Sequence, residues 1–194
     1  MKKIIMAIVV LTTVTACSVG ASSADKEIAM LAGKALFIRD YIKANNALKI
    51  IKDGEFASFR LIKPLVITDP NCKDTGGKIF CDGYSLEFIK DMRQNADRKK
   101  DGLIDRSTAA YEDCFRITAS KQDRDGKYLG LSYTTYITAD GDKPFYDTCS
   151  AKKVGQSGKA CEKLGGRLND VTTWTTVDYD VPADKAAQIK RVAI

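Results

Sequence analysis

The chain has 194 residues, a formal net charge of +6 and no histidine. That length suits one domain, which buries roughly 70% of the surface its unfolded chain exposes. The missing histidine excludes Ser-His-Asp and Cys-His catalysis and the usual His-bearing zinc sites, and it removes the commonest general base near neutral pH.

The chain opens with Lys2 and Lys3, an apolar run from Ile4 to Val10, and then Leu11-Thr12-Thr13-Val14-Thr15-Ala16-Cys17. This is the layout of a bacterial export signal. The run is too short to span a bilayer, which takes about 20 apolar residues. Val14-Thr15-Ala16-Cys17 resembles the lipoprotein box of bacterial lipoproteins. The resemblance implies cleavage before Cys17 and a diacylglycerol plus an N-acyl chain such as palmitate on that residue. Each buried methylene contributes about 0.8 kcal/mol, so several chains hold firmly where one does not. Ser18 stands where an Asp would retain a lipoprotein at the inner membrane, which implies outer-membrane sorting if the cell is Gram-negative. The alternative is a secretory signal cut after Ser22-Ser23-Ala24, giving a soluble periplasmic or secreted protein. The expected organisation is a signal peptide over 1–16, a lipidated linker over 17–24 and a single globular domain over 25–194.

Residues 25–52 are predicted as one long helix. Ile28, Leu31, Ala35, Ile38 and Ile42 make an apolar stripe, with Phe37, Tyr41, Leu48 and Ile51 as a second edge. Asp25 and Glu27 suit its start, Lys49 and Lys52 its end, and Asp53-Gly54 stops it. Phe59 to Thr68 reads as a strand at a sheet edge or a break, because of Pro64. Residues 84–100 are ambiguous: Tyr84, Leu86 and Phe88 alternate as in a strand, while Ser85 could cap a helix through Asp91 and Met92. Phe115 to Ser120, a turn at Asp123 to Gly126, and Tyr128 to Thr138 predict a hairpin, with Leu129, Leu131, Tyr133 and Ile137 on one face. Asp140-Gly141 is a second turn, leading to Phe145-Tyr146. A final strand over Val171 to Val181 places Val171, Val177, Tyr179 and Val181 on one face and Trp174 on the other. Tandem antiparallel hairpins after a single helix predict an α+β domain, a long N-terminal helix packed on an antiparallel β-sheet with disulfide-stabilised loops.

Five cysteines lie beyond the leader, and export exposes them to oxidising conditions. Cys72 and Cys81 enclose a loop with a Gly76-Gly77 turn, and Cys149 and Cys161 enclose a Lys/Gly/Ser loop. Either bridge would stabilise the fold by about 3 kcal/mol in the loop-entropy model. Cys114 is then left as a buried thiol or an intermolecular partner. With no CxxC and no histidine, the cysteines do not read as a zinc site.

No GxSxG, Walker A or dinucleotide fingerprint occurs, and Gly76-Gly77 and Gly165-Gly166 lack the strand–glycine–helix context of a phosphate cradle. Arg98, Lys99 and Lys100 lie between Asp97 and Asp101, so they read as a solvated surface and not as a nucleic-acid stripe. Asp97, Asp101 and Asp105, with Gly102 and Ile104, partly match a calcium EF-hand loop; Lys99 and Thr108 stand where ligands belong, which points to a polar turn instead. Asp123 to Gly126 reads as a hairpin turn. No pair of acids is singled out for hydrolysis.

Tyr146-Asp147-Thr148-Cys149-Ser150-Ala151-Lys152-Lys153, then Lys159-Ala160-Cys161-Glu162-Lys163-Leu164-Gly165-Gly166 and a final strand, resemble the globular part of type IV pilin-like and pseudopilin proteins over about residues 111–181. The resemblance implies a long helix packed on an antiparallel sheet and a disulfide-closed C-terminal loop. The chain departs from that family in lacking its continuous apolar segment with Glu at the fifth position, so incorporation into a filament is not implied.

These features predict a non-enzymatic, lipid-anchored cell-envelope protein that presents a surface to another envelope protein or a ligand, without a cofactor or a nucleic-acid partner. Thr172, Trp174 and Thr176 are a candidate contact face; the alternative packs Trp174 under the C-terminal loop. Competing expectations are an inhibitor or ligand-binding module that inserts loop 72–81 into a partner, and a hydrolase with two carboxylates about 5 to 9 Å apart in a cleft.

Overall fold

The computed structural model describes residues 22–54, 56–94, 97–98, 104–105, 111–139, 146–152, 157–172 and 175–194. Helix α1, Ser23–Ala44, begins with a reciprocal cap. The Ser22 hydroxyl accepts from the Asp25 amide at 3.2 Å, and the Ser22 amide donates to Asp25 Oδ2 at 2.8 Å. Ile28, Leu31, Ala35, Ile38 and Ile42 are all buried, as their spacing predicts. The helix stops eight residues before the expected end at residue 52. Asn45 Nδ2 donates to the Tyr41 carbonyl at 2.9 Å, and Asn46 takes a left-handed φ of +46° that asparagine tolerates better than most residues.

The residues expected to finish that helix form a strand instead. β1, Leu48–Asp53, pairs antiparallel with β2, Phe56–Leu61, from Leu48 opposite Leu61 to Asp53 opposite Phe56. Ile50 and Ile51 favour extended backbone, and the Asp53-Gly54 pair supplies the turn, with Gly54 at φ +59°. β2 ends at Leu61 ahead of Pro64, so the strand expected through Thr68 is shortened.

The remaining strands are β3 (Lys73–Asp74), β4 (Lys78–Cys81), β5 (Tyr84–Gln94), β6 (Asp97–Arg98), β7 (Ile104–Asp105), β8 (Tyr111–Gln122), β9 (Tyr128–Thr138), β10 (Tyr146–Lys152), β11 (Arg167–Thr172) and β12 (Thr176–Pro182), with short helices α2 (Ser157–Lys163) and α3 (Ala183–Gln188). Eight of them form one antiparallel sheet in the order β11-β12-β10-β9-β8-β5-β4-β3. The ambiguous stretch from residue 84 is strand: β5 pairs with β8 from Tyr84 opposite Lys121 to Gln94 opposite Tyr111. The β8–β9 hairpin forms, and Asp123 Oδ1 organises its turn by accepting the amides of Asp125 and Lys127 at 3.0 and 2.8 Å. The single final strand expected over 171–181 is two strands, β11 and β12, paired as a hairpin.

The expected α+β plan, a long helix over a sheet, is therefore corrected. Among the described residues strand outweighs helix about two to one, and the fold is built on the eight-stranded sheet and braced by two disulfides. α1 is short relative to that sheet and packs mainly on β8 and β9 of one face. Leu86, Phe88, Phe115, Ile117, Leu131 and Tyr133 supply the sheet side of the core, and Val177, Tyr179 and Val181 extend it across β12. The other side of α1 is covered by the chain end. The Val192 amide donates to the Gly33 carbonyl at 3.1 Å, and both the amide and the hydroxyl of Thr68 donate to the Ile194 carbonyl, the latter at 2.7 Å.

Candidate functional site

Three places concentrate chemistry, beginning with a buried polar cluster under α1. The Asp147 carboxylate on β10 receives the Tyr133 hydroxyl on Oδ2 and the Thr135 hydroxyl on Oδ1, each at 2.8 Å, and Arg39 Nη1 lies 3.7 Å from Oδ2. Arg39 also donates to Asp40, and Arg191 Nε donates to the same Asp40 at 2.7 Å, which ties the chain end to the helix. Burial pushes the Tyr133 phenol far above its ordinary range, and the neighbouring Asp147 charge adds to the effect. Each carboxylate oxygen accepts a hydroxyl, so the cluster ties β9 to β10 beneath α1.

The second place is a groove of about 600 Å³ between the β1–β2 hairpin and the loop closed by the Cys72–Cys81 disulfide. Phe59, Phe88 and Phe115 line its apolar part, the Phe59 and Phe115 rings lie 6.3 Å apart, and Arg60, Lys63 and Asp74 supply charge. The hairpin is held over the sheet by the Ala57 amide, which donates to the buried Asp113 carboxylate. Around the groove, apolar side chains stand in solvent: Phe56 is 68% exposed, Ile62 53% and Val66 51%.

The third place is a pocket of about 630 Å³ at the start of α1, lined by Lys26, Lys163, Lys185 and Lys190 with one acid, Glu162. Its apolar floor includes Met30, Leu164, Ile189 and Val192. Lys163 is salt-bridged to Asp25, and that partner, followed by the Ser22 amide, holds the Asp25 carboxyl below the usual carboxylate range. Pocket and groove lie toward opposite ends of the fold. Glu27 in the first turns of α1 meets Lys121 at one end of β8, whereas Ala57 meets Asp113 at the other. A 22-residue helix rises about 33 Å, which sets the scale of that separation.

The residues singled out by sequence fall as follows. Cys72 bonds Cys81, and Cys149 bonds Cys161, joining β10 to α2; Cys114 is a buried thiol on β8. Cys17, Asp101 and Trp174 lie outside the described residues. Asp97 and Asp105 face each other across a two-stranded hairpin, β6–β7, where an EF-hand would have its loop between helices. Thr172 and Thr176 lie in β11 and β12, not in one final strand. Among the described residues, no group of three or more Cys, Asp and Glu side chains is placed to hold a metal ion.

Neither cavity was visible in the sequence. Lys163, Lys185 and Lys190 are scattered among acids, and only folding gathers them. Lys34 did leave a signal, three residues after Leu31 and four before Ile38 on the apolar stripe. It is buried, donates to the Ala193 carbonyl at 3.1 Å and sits 4.5 Å over the Tyr84 ring. Burial lowers its pKa, with the Asp69 charge acting the other way.

Residues 1–18 match the family model of the prokaryotic membrane lipoprotein lipid attachment site, and Cys17 is the one cysteine in that stretch. The match supports an exported lipoprotein anchored to a membrane through lipid. Among the described residues, no helix is long and apolar enough to cross a membrane. No curated protein matches the chain. No solved structure matches it either, so the likeness to pilin-like proteins gains no support from these comparisons.

Proposed function

We propose that the chain is a non-enzymatic lipoprotein of the cell envelope, held by lipid on Cys17, that offers its groove and β1–β2 hairpin to a partner envelope protein. The observation that carries this is the exposed apolar surface of Phe56, Ile62 and Val66 beside the phenylalanine-lined groove, remote from the start of α1. Exposed apolar side chains on the same hairpin and loop as an aromatic-lined groove suit a protein contact, and aromatic anchors dominate the energetics of such contacts. The partner would contribute an apolar segment to the groove, with Arg60, Lys63 and Asp74 fixing its register. Ser18 supports outer-membrane sorting in a cell with two membranes.

A photoactivatable residue placed at position 62 in the native host tests this. The expected result is one discrete adduct that is absent from the same probe at Tyr128 and is lost in a Phe56→Ser background. Equal adducts from both positions, or none, would remove the groove as the contact.

A further inference from the structure

We propose that the basic pocket at the start of α1 seats the phosphate headgroup of an anionic phospholipid, so that the domain rests on its own membrane by this face instead of swinging freely on its anchor. The inference rests on lipid attachment at Cys17 and is independent of the partner groove. Three observations support it.

Chain length comes first. From Cys17 to the first residue of α1 the chain can reach at most about 20 Å even fully extended, and Lys26 lies within the first turn beyond. The pocket is thus confined near the bilayer surface. Charge is the second. Lys163 is paired with Asp25, but Lys26, Lys185 and Lys190 are exposed in the same pocket with Glu162 as its one lining acid, and lysines held near an anionic leaflet are attracted to it within a Debye length. Shape is the third. Met30, Leu164, Ile189 and Val192 line the same pocket, an apolar floor on which lysine stems can lie with their ammonium groups turned outward to the phosphates. Gly165 helps build this arrangement. It sits at φ +83°, and a Cβ there would come within 2.6 Å of Lys185 Cγ, so the glycine lets the Lys185 stem lie across the turn.

The test uses the acylated protein in nanodiscs, with acylation first verified by intact mass, so that an absent anchor is told apart from an absent headgroup contact. Each lysine is acetylated under limiting reagent and quantified by mass spectrometry, in phosphatidylcholine discs and in discs containing phosphatidylglycerol. The expected result is that Lys26, Lys185 and Lys190 label several-fold more slowly in the anionic discs, relative to Lys49 and Lys52 on β1. High salt should abolish the difference. Lys185→Glu combined with Lys190→Glu should restore labelling of Lys26. Equal labelling in both discs overturns the proposal. Protection of Lys26 that survives the double charge reversal overturns it as well, since mere proximity would then suffice. Protection by soluble glycerol phosphate in phosphatidylcholine discs would assign the pocket to a free anion and overturn membrane docking.

Discussion

Asp147 shows how a carboxylate buried under a helix is satisfied: two hydroxyls donate to it and a guanidinium faces it. Tyr133→Phe deletes one donor without opening a cavity, and should cost about 1–3 kcal/mol in urea unfolding with an unchanged m value. Asp25 is a different case, partly buried in the first turn of α1. Its folded pKa lies below the ordinary 3.8, so the stability it contributes is present above that value and is lost as pH falls through the lowered one. Amide exchange in the first turn of α1 should accelerate over that acidic window, and Asp25→Asn should flatten the pH dependence. Part of this was legible. Asp25 reads from the sequence as suited to the helix start, while its reciprocal cap with Ser22 went unread, and Asp147 is brought to Tyr133 and Thr135 only by pairing of β10 with β9. A non-local contact of that kind leaves no local pattern to read.

Helix α1 and the chain end form one unit, and Gly33 is its tightest point. A Cβ there would lie 2.5 Å from the Lys190 carbonyl oxygen and 2.7 Å from Val192 Cγ2. Gly33→Ala therefore sets a helix-propensity gain of about 1 kcal/mol against overpacking of about 1–3 kcal/mol. The expected outcome is net destabilisation, seen as a lower Tm and faster exchange of the Val192 amide; a higher Tm would mean that the tail is loosely docked. The helix stripe was readable from residue 28 to 42 because Ile28, Leu31, Ala35, Ile38 and Ile42 are all buried. Its end was not, since Leu48 and Ile51 continue the helical spacing, while the decision to extend was made by Asn46 and by the partner strand β2. The division of the last strand into β11 and β12 was hidden for a like reason: the alternation of Val171 with Val177, Tyr179 and Val181 runs unbroken across the hairpin.

The fold as a body has two unlike poles, lysines near the start of α1 and aromatic side chains on the hairpin beyond its end. Intact mass from the native membrane is the measurement that sets this polarity in place. The expected species is residues 17–194 plus acyl groups, less the hydrogens lost in two disulfides; an unlipidated chain from residue 25 would free the poles from any membrane. Anchored, the molecule acts as a ruler. A tether of about 20 Å and a helix of about 33 Å keep the groove within roughly 50 Å of the bilayer. A partner segment confined to that thin layer meets the groove at an effective concentration that can approach the millimolar range. Contacts too weak to survive detergent and dilution would then be saturated in the cell, and a segment held higher than the ruler reaches would never be met.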